Sequence, residues 1–190
     1  MSASKEIAEL LIRTPFVLAI GILWIRFLLQ LVKADFYNPI SQTIVKVTAP
    51  ILNPLQKVLP PVKNWNLSAL GLIVLLNMVS MTLIAILWTG GTQSPLALLI
   101  GGTFQLLYMA TQFYFGLLII SVVLSWVSPG YTPFGALVAQ LAEPVLAPFR
   151  KILPPMGGLD LSPIVAFLAI QVTQILLGAV VRQFVGVGLA

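Results

Sequence analysis

The five carboxylates of this sequence, Glu6, Glu9, Asp35, Glu143 and Asp160, are its only acids. Their spacing suggests no pair set for general acid–base work. Histidine and cysteine are absent. That removes imidazole bases, thiolate nucleophiles, disulfides, His/Cys metal sites and histidine-ligated haem. Five scattered methionines read as packing, and there is no phosphate loop, metal signature or nucleophile elbow. The expectation is a chain that is not an enzyme, with no cofactor and no metal. What chemistry remains is polar side chains set inside apolar runs. Asn77 and Ser80 stand three apart, as do Gln171 and Gln174, and Gly178 and Arg182 continue the latter face. Gln105, Tyr108 and Gln112 share another helical face, with Thr111 beside it, and Arg26 is a lone charge in an apolar stretch. Amides in hydrocarbon are costly unless paired, so these stripes should meet one another, another subunit or a polar cavity. Arg26 is expected to snorkel toward Lys33 or to pair with Asp35, Glu143 or free backbone carbonyls.

The elements that hold these residues follow from composition. Of 190 residues, 59% are hydrophobic and 8% charged, against about 25% charged in a soluble domain; the mean hydropathy is +1.05. This is an integral membrane protein. Crossing ~30 Å of hydrocarbon takes ~20 apolar residues, and four segments qualify, at about 14–32, 68–88, 103–127 and 163–184. The first has a helical lead from Ile7. The third belongs to an apolar run from Pro95, so either that run tilts or 95–102 lies at the interface. Asn66 or Ser68 can cap the second span, and Asp160 or Ser162 the fourth, with Pro163 at its first helical position. Glu6 and Glu9 spoil a signal peptide's basic n-region, so the first segment should be retained.

The connectors between spans carry an internal repeat. At an offset of 94, Tyr37, Pro39, Pro50, Leu52, Pro54, Lys57, Leu59, Pro60, Pro61, Leu67 and Ser68 all recur, from Tyr131 to Ser162. Five of these are prolines and one is a cap, residues that fix backbone shape. A duplicated two-span unit results, 1–91 and 92–190. An even number of spans per unit inserts both copies the same way, which puts both connectors on one side. Lys33, Lys46, Lys57, Lys63, Arg150 and Lys151 lie on that side, and Lys5, Arg13 and Arg182 on the other. The positive-inside rule then makes the connectors cytoplasmic and the termini periplasmic. With the basic excess explained by topology and anionic lipid, no nucleic-acid partner is expected.

Each connector reads as a basic amphipathic helix. Ile40, Ile44, Val47, Ile51, Leu55 and Val58 line one face, and Phe134, Val138, Leu141, Val145, Phe149 and Ile152 repeat it. Such a helix lies in the interface. Pro50, Pro54, Pro144 and Pro148 remove helical donors, so two short helices meeting at a bend are expected within 39–61 and again within 133–155. Pro60, Pro61, Pro154 and Pro155 then stop the second helix. Lys57, Arg150 and Lys151 sit beside the bends, ready for anionic lipid headgroups or a partner. The fold class is therefore an all-α membrane protein: four transmembrane helices in two tandem hairpins, each with a proline-kinked amphipathic helix in its connector.

The stretches DFYNPISQTIVKVTAPILNPLQKVLPP and LSWVSPGYTPFGALVAQLAEPVLAPFRKILPPMGGLDLSP closely resemble the two signature blocks of the bacterial YggT family, in its two-copy form. The first copy reads VKNWNLSA where the second reads MGGLDLSP, and so lacks the Gly-Gly-x-Asp turn. The resemblance implies a small protein of the bacterial inner membrane without an assigned reaction. It also implies links to osmotic and salt-stress tolerance among bacterial relatives, some of which lie near cell-division genes. Plastid relatives assist haem attachment during assembly of the chloroplast cytochrome bf complex. The expected function is a scaffold or assembly factor that binds lipid and either copies of itself or other membrane subunits. The alternative is an oligomeric channel or transporter used in osmotic adjustment.

Overall fold

A computed structural model of the chain describes residues 3–92, 94–127, 130–153 and 160–185. Six helices follow one another: α1 (Ala3–Leu31), α2 (Pro39–Gln56), α3 (Leu67–Thr89), α4 (Pro95–Val127), α5 (Pro133–Ile152) and α6 (Ser162–Val185). Four of them, α1, α3, α4 and α6, are long and apolar enough to cross a membrane, so the protein is a multi-pass membrane protein. The duplication is visible in the bounds. Adding 94 to those of α2 gives 133–150, against 133–152 for α5, and to those of α3 gives 161–183, against 162–185 for α6.

Local chemistry sets the helix ends. Asn38 Oδ1 accepts from the Ile40 N–H (2.9 Å) at the start of α2, and Thr132 Oγ1 from the Gly135 N–H (3.0 Å) at the matching start of α5. Each cap is followed by a proline, which lacks a donor that would be orphaned there anyway. Asn66 Oδ1 caps α3 through the Ala69 N–H at 3.0 Å. Lys33 closes α1 in the left-handed region, at φ +54°, while the Ala34 N–H reaches back to the Leu29 carbonyl at 2.9 Å. Gly90, at φ +71°, ends α3 in the same conformation.

Within each unit the spans pack as a pair, α1 on α3 and α4 on α6, with α2 and α5 laid against them. The units join where α3 meets α4 and α2 meets α5. One apolar core, including Phe27, Leu52, Ile73, Leu118, Leu141 and Ala166, runs through all six helices.

Three features differ from the sequence reading. First, the helical lead of α1 begins at Ala3 rather than Ile7, and of the two alternatives for the run from Pro95 the structure has the undivided one, with α4 a single helix of 33 residues. At 1.5 Å per residue α4 is roughly 50 Å long, which fits a bilayer by tilting. Second, each connector holds one unbroken helix rather than two short ones, with Pro50 and Pro54 inside α2 and Pro144 and Pro148 inside α5. The paired prolines stand four apart on the exposed side, and the residues whose carbonyls they leave free, 46 and 50 and 140 and 144, are exposed too. Polar surroundings there can satisfy them without breaking the helix. Third, α2 is rotated about its axis. Ser41, Thr48 and Leu52 are buried, while Val47, Ile51 and Val58 are exposed. Thr48 satisfies its own hydroxyl on the Ile44 carbonyl (2.7 Å), so it can face protein while branched apolar side chains face outward.

Candidate functional site

The two connectors lie at one end of the bundle and are bonded to each other. Asn38 Nδ2 donates to the Pro133 carbonyl at 2.6 Å, and Gln140 Oε1 accepts from the Asp35 N–H at 3.0 Å. On this end Lys46, Lys57 and Lys151 are exposed, as are Pro50, Pro54, Pro60, Pro61, Pro144 and Pro148. Pro60 and Pro61 lie in extended chain beyond α2, before a tight turn closed between Val62 and Trp65 with Lys63 at φ +53°. Pro154 and Pro155 lie outside the described residues.

Behind each connector is a device that ties it to the following span, and the two devices differ. In the first unit Asn66 Nδ2 donates to Gln30 Oε1 (3.0 Å), and Ser68 Oγ donates to the Leu59 carbonyl (2.5 Å). These neutral bonds hold α1, the end of the connector and α3 together. The second unit uses charge. The Arg150 guanidinium binds Glu143 through Nη1 and Asp160 Oδ2 through Nε (2.9 Å). Asp160 Oδ1 also accepts from the Ser162 N–H at 2.9 Å. Partial burial would raise the Asp160 carboxyl, but hydrogen bonds from Ser162 and the Arg150 guanidinium outweigh it and hold the group below its ordinary 3.8.

The intramembrane polar residues also divide by unit. Asn77 and Ser80 are buried. Asn77 Nδ2 donates across the α3–α4 contact to the Gly102 carbonyl at 3.1 Å. Gly102 lies in close contact with α3: a Cβ there would stand 3.5 Å from Asn77 Nδ2 and 3.6 Å from Met81 Sδ, ordinary contact distances that leave no room for a longer side chain. Gln171 and Gln174, the equivalents of Asn77 and Ser80, line an open pocket of about 400 Å³ between α4 and α6, with Tyr108, Phe115, Gly178 and Arg182. The structure thus brings together Tyr108 with Gln171, Gln174 and Arg182, which the sequence placed on two separate faces. It leaves Gln112 exposed and Gln105 half-buried, outside that pocket.

Arg26 does not form, among the described residues, the ion pair or hydrogen bond that was one of its expected arrangements. It is half-buried in α1 and has no ion pair or hydrogen bond among the described residues. Its expected partners are engaged elsewhere, Asp35 Oδ1 on the Tyr37 N–H and Glu143 on Arg150.

Two clusters were not anticipated. Glu9 binds Arg13 (2.9 Å) and accepts from Trp88 Nε1 (2.7 Å), with the Lys5 ammonium over the Trp88 ring. The i,i+4 spacing of Glu9 and Arg13 was a readable signal, whereas the Trp88 contact depends on how far α1 extends beside α3. The Arg150 cluster was readable only in part, from the seven-residue step between Glu143 and Arg150. Among the described residues there is no group of three or more acidic side chains able to hold a metal.

Comparison with known proteins agrees with this duplication. The CCB3/YggT family model matches the chain twice, at residues 6–87 and 100–181. Both bounds shift by 94, the offset of the repeated prolines. An uncharacterized protein of Pseudomonas aeruginosa is 46% identical over 157 residues, covering 82% of this chain and 80% of its own. The uncharacterized protein YggT of Escherichia coli K12 is 36% identical, with 85% and 84% covered. A chloroplastic YlmG homolog protein 2 of Arabidopsis thaliana is 40% identical over 58 residues, 30% of this chain and 23% of that one. No solved structure matches.

Proposed function

The chain belongs to the CCB3/YggT family, and on that premise we propose that it is a non-enzymatic scaffold or assembly factor for a membrane complex, with a role in osmotic or salt-stress tolerance. The observation that carries this reading is the outer face of α2. Val47 is 58% exposed, while its equivalent in α5, Leu141, is 3% exposed. Two copies of one helix therefore differ at this position in what covers them, and α2 presents Val47 and Ile51 beside Lys46, with Lys57 just past its end. An apolar stripe edged with lysines suits both the acidic headgroup layer and the flank of another membrane subunit. The site is the inner membrane. Six basic residues on the connector side against three on the other favour cytoplasmic connectors and periplasmic termini.

Photocrosslinkers placed at Lys57 and Lys151 in native membranes test the reading. Recurrent capture of one protein, self or foreign, is expected, and repeated recovery of lipid alone would refute it. A second reading, an oligomeric channel used in osmotic adjustment, draws on the amides of α6, Gln171 exposed and Gln174 half-buried. It requires ion flux from reconstituted protein that Gln171→Leu or Gln174→Leu abolishes. The scaffold reading expects flux no greater than that of empty nanodiscs.

A further inference from the structure

The crevice between α4 and α6 has a counterpart between α1 and α3, and only one of the two is closed. In the first unit the equivalent face of α3 is covered by α4: Asn77, Ser80 and Met81 are buried, and Gly102 lies against Asn77 and Met81. At the mouth of that crevice Trp88 is bound by Glu9. In the second unit Arg182 stands at the position of Trp88 and Thr103 at that of Glu9 (88 + 94 and 9 + 94), so the cation has no acid across from it. No carboxylate lines the pocket. The side chains of Arg182, Gln171, Gln174 and Tyr108 make no hydrogen bond or ion pair among the described residues.

We propose that this crevice is a binding site for a phosphate-bearing anion. A guanidinium, two amides and a phenol supply donors from both helices toward one space, with no competing anion of their own. Guanidinium is the side chain best matched to phosphate oxygens. Gln171 is nine residues past Ser162, about 14 Å along α6, a depth at which an amide without a partner is expensive. The lining chemistry favours a small anion over a covering helix: a cation and donors with no carboxylate among them, around a space of about 400 Å³ that falls within the range of small-ligand pockets. A glycerophosphate headgroup fits, its acyl chains leaving through the open side of the crevice into the bilayer. The source of the phosphate is either such a lipid or a free anion entering from the aqueous side near Arg182. The site stands apart from the connector face that carries the scaffold reading, so either can fail alone.

The test is lipid retention by the full chain. Protein from nanodiscs of phosphatidylglycerol or phosphatidylcholine is released into the gas phase and its bound lipids weighed. Inorganic phosphate is titrated separately against protein in neutral detergent. Retention of phosphatidylglycerol above phosphatidylcholine is expected, falling roughly tenfold in Arg182→Gln, the order of one charge-assisted bond. It should be largely restored in Arg182→Lys and lost in Gln171→Leu/Gln174→Leu. Phosphate binding that depends on Arg182 without lipid preference would identify the free anion as the ligand of the same site. Equal retention by wild type and both loss variants, each verified as helical and monodisperse, would overturn the proposal. So would a crosslinker at 174 that captures a second copy or another protein instead of lipid.

Discussion

The two units share one backbone plan and treat their polar residues in opposite ways. The first buries Asn77 against Gly102 and ties its connector with neutral amides and a hydroxyl. The second leaves Gln171 and Gln174 at an open crevice and ties its connector with an arginine between two carboxylates. Duplication kept the paired prolines, the leucine beneath each connector helix and the positions of the caps, though Asn38 became Thr132 and Asn66 became Asp160. Divergence falls where the units meet and where the second unit presents a face that the first one covers. The repeat is a conserved frame with two different surfaces.

Substitutions at equivalent positions sharpen that contrast, and the largest effects test the frame itself. Leu52 and Leu146 are both buried beneath their connector helices. Leu52→Ala and Leu146→Ala should each cost about 2–4 kcal/mol through the cavity left behind, and should match within about 1 kcal/mol, read by reversible unfolding in mixed micelles. A cost in one unit and none in the other would break the shared frame. Next comes Gly102→Leu, which forces a branched side chain into the α3–α4 contact. The expected penalty is about 1–3 kcal/mol, against about 0.5 kcal/mol or less for Ala8→Leu at the equivalent position in α1. Equal costs would mean that the close contact at Gly102 contributes nothing particular.

A smaller difference is expected of the amides. Asn77→Leu removes the bond to the Gly102 carbonyl, and interhelical bonds in membranes average about 0.6 kcal/mol, with a maximum near 1.7. Gln171→Leu should leave unfolding unchanged, because that amide has no protein partner to lose. A destabilised Gln171→Leu would show that the crevice is closed by protein in the native membrane.

The frame was legible in the sequence and the surfaces were not. Four spans follow from apolar run length, and the tandem units follow from the recurrence of Pro50 at Pro144 and Ser68 at Ser162. Asn66 was readable as a cap because asparagine before an apolar run has few other local uses. The unbroken connector helices were hidden because proline removes a donor without saying whether the freed carbonyl finds solvent. In α2 and α5 the prolines and the residues whose carbonyls they free are exposed. The rotation of α2 was hidden for a different reason. Apolar periodicity marks a face without distinguishing lipid from protein, and here Ser41 and Thr48 turn inward. Arg26 was offered the acids of the connector side as partners, but Asp35 and Glu143 are satisfied within the connectors themselves. The pairing of Tyr108 with Gln171 and Gln174 needed the α4–α6 contact, which no single-helix pattern contains.

The smallest effect expected separates the units by pH. Asp160 titrates below its ordinary 3.8 in the folded protein, where hydrogen bonds from Ser162 and Arg150 outweigh a burial term of opposite sign. A depressed folded-state value means that the carboxylate stabilises the fold fully above the unfolded value. That contribution is lost as pH falls from about 3.8 through the lower folded one. Asp160 and Glu143 are both substantially exposed, so solvent screening limits the gain to about 1 kcal/mol or less. Arg150→Gln should reduce it at pH 7, leaving the part that Ser162 supplies, and make the acid dependence between about pH 5 and 3 shallower than in the wild type, whose own contribution should weaken in high salt. The first unit ties its connector with Gln30, Asn66 and Ser68, which do not titrate, so a probe on Trp65 should report no acid transition of its own in that window. Hydrogen exchange at the start of α6, compared with the start of α3, distinguishes the two. Faster exchange at both ends on acidification would mean that charge is not what sets the second connector apart, and faster exchange at α6 alone would localise the acid sensitivity to the Arg150 cluster.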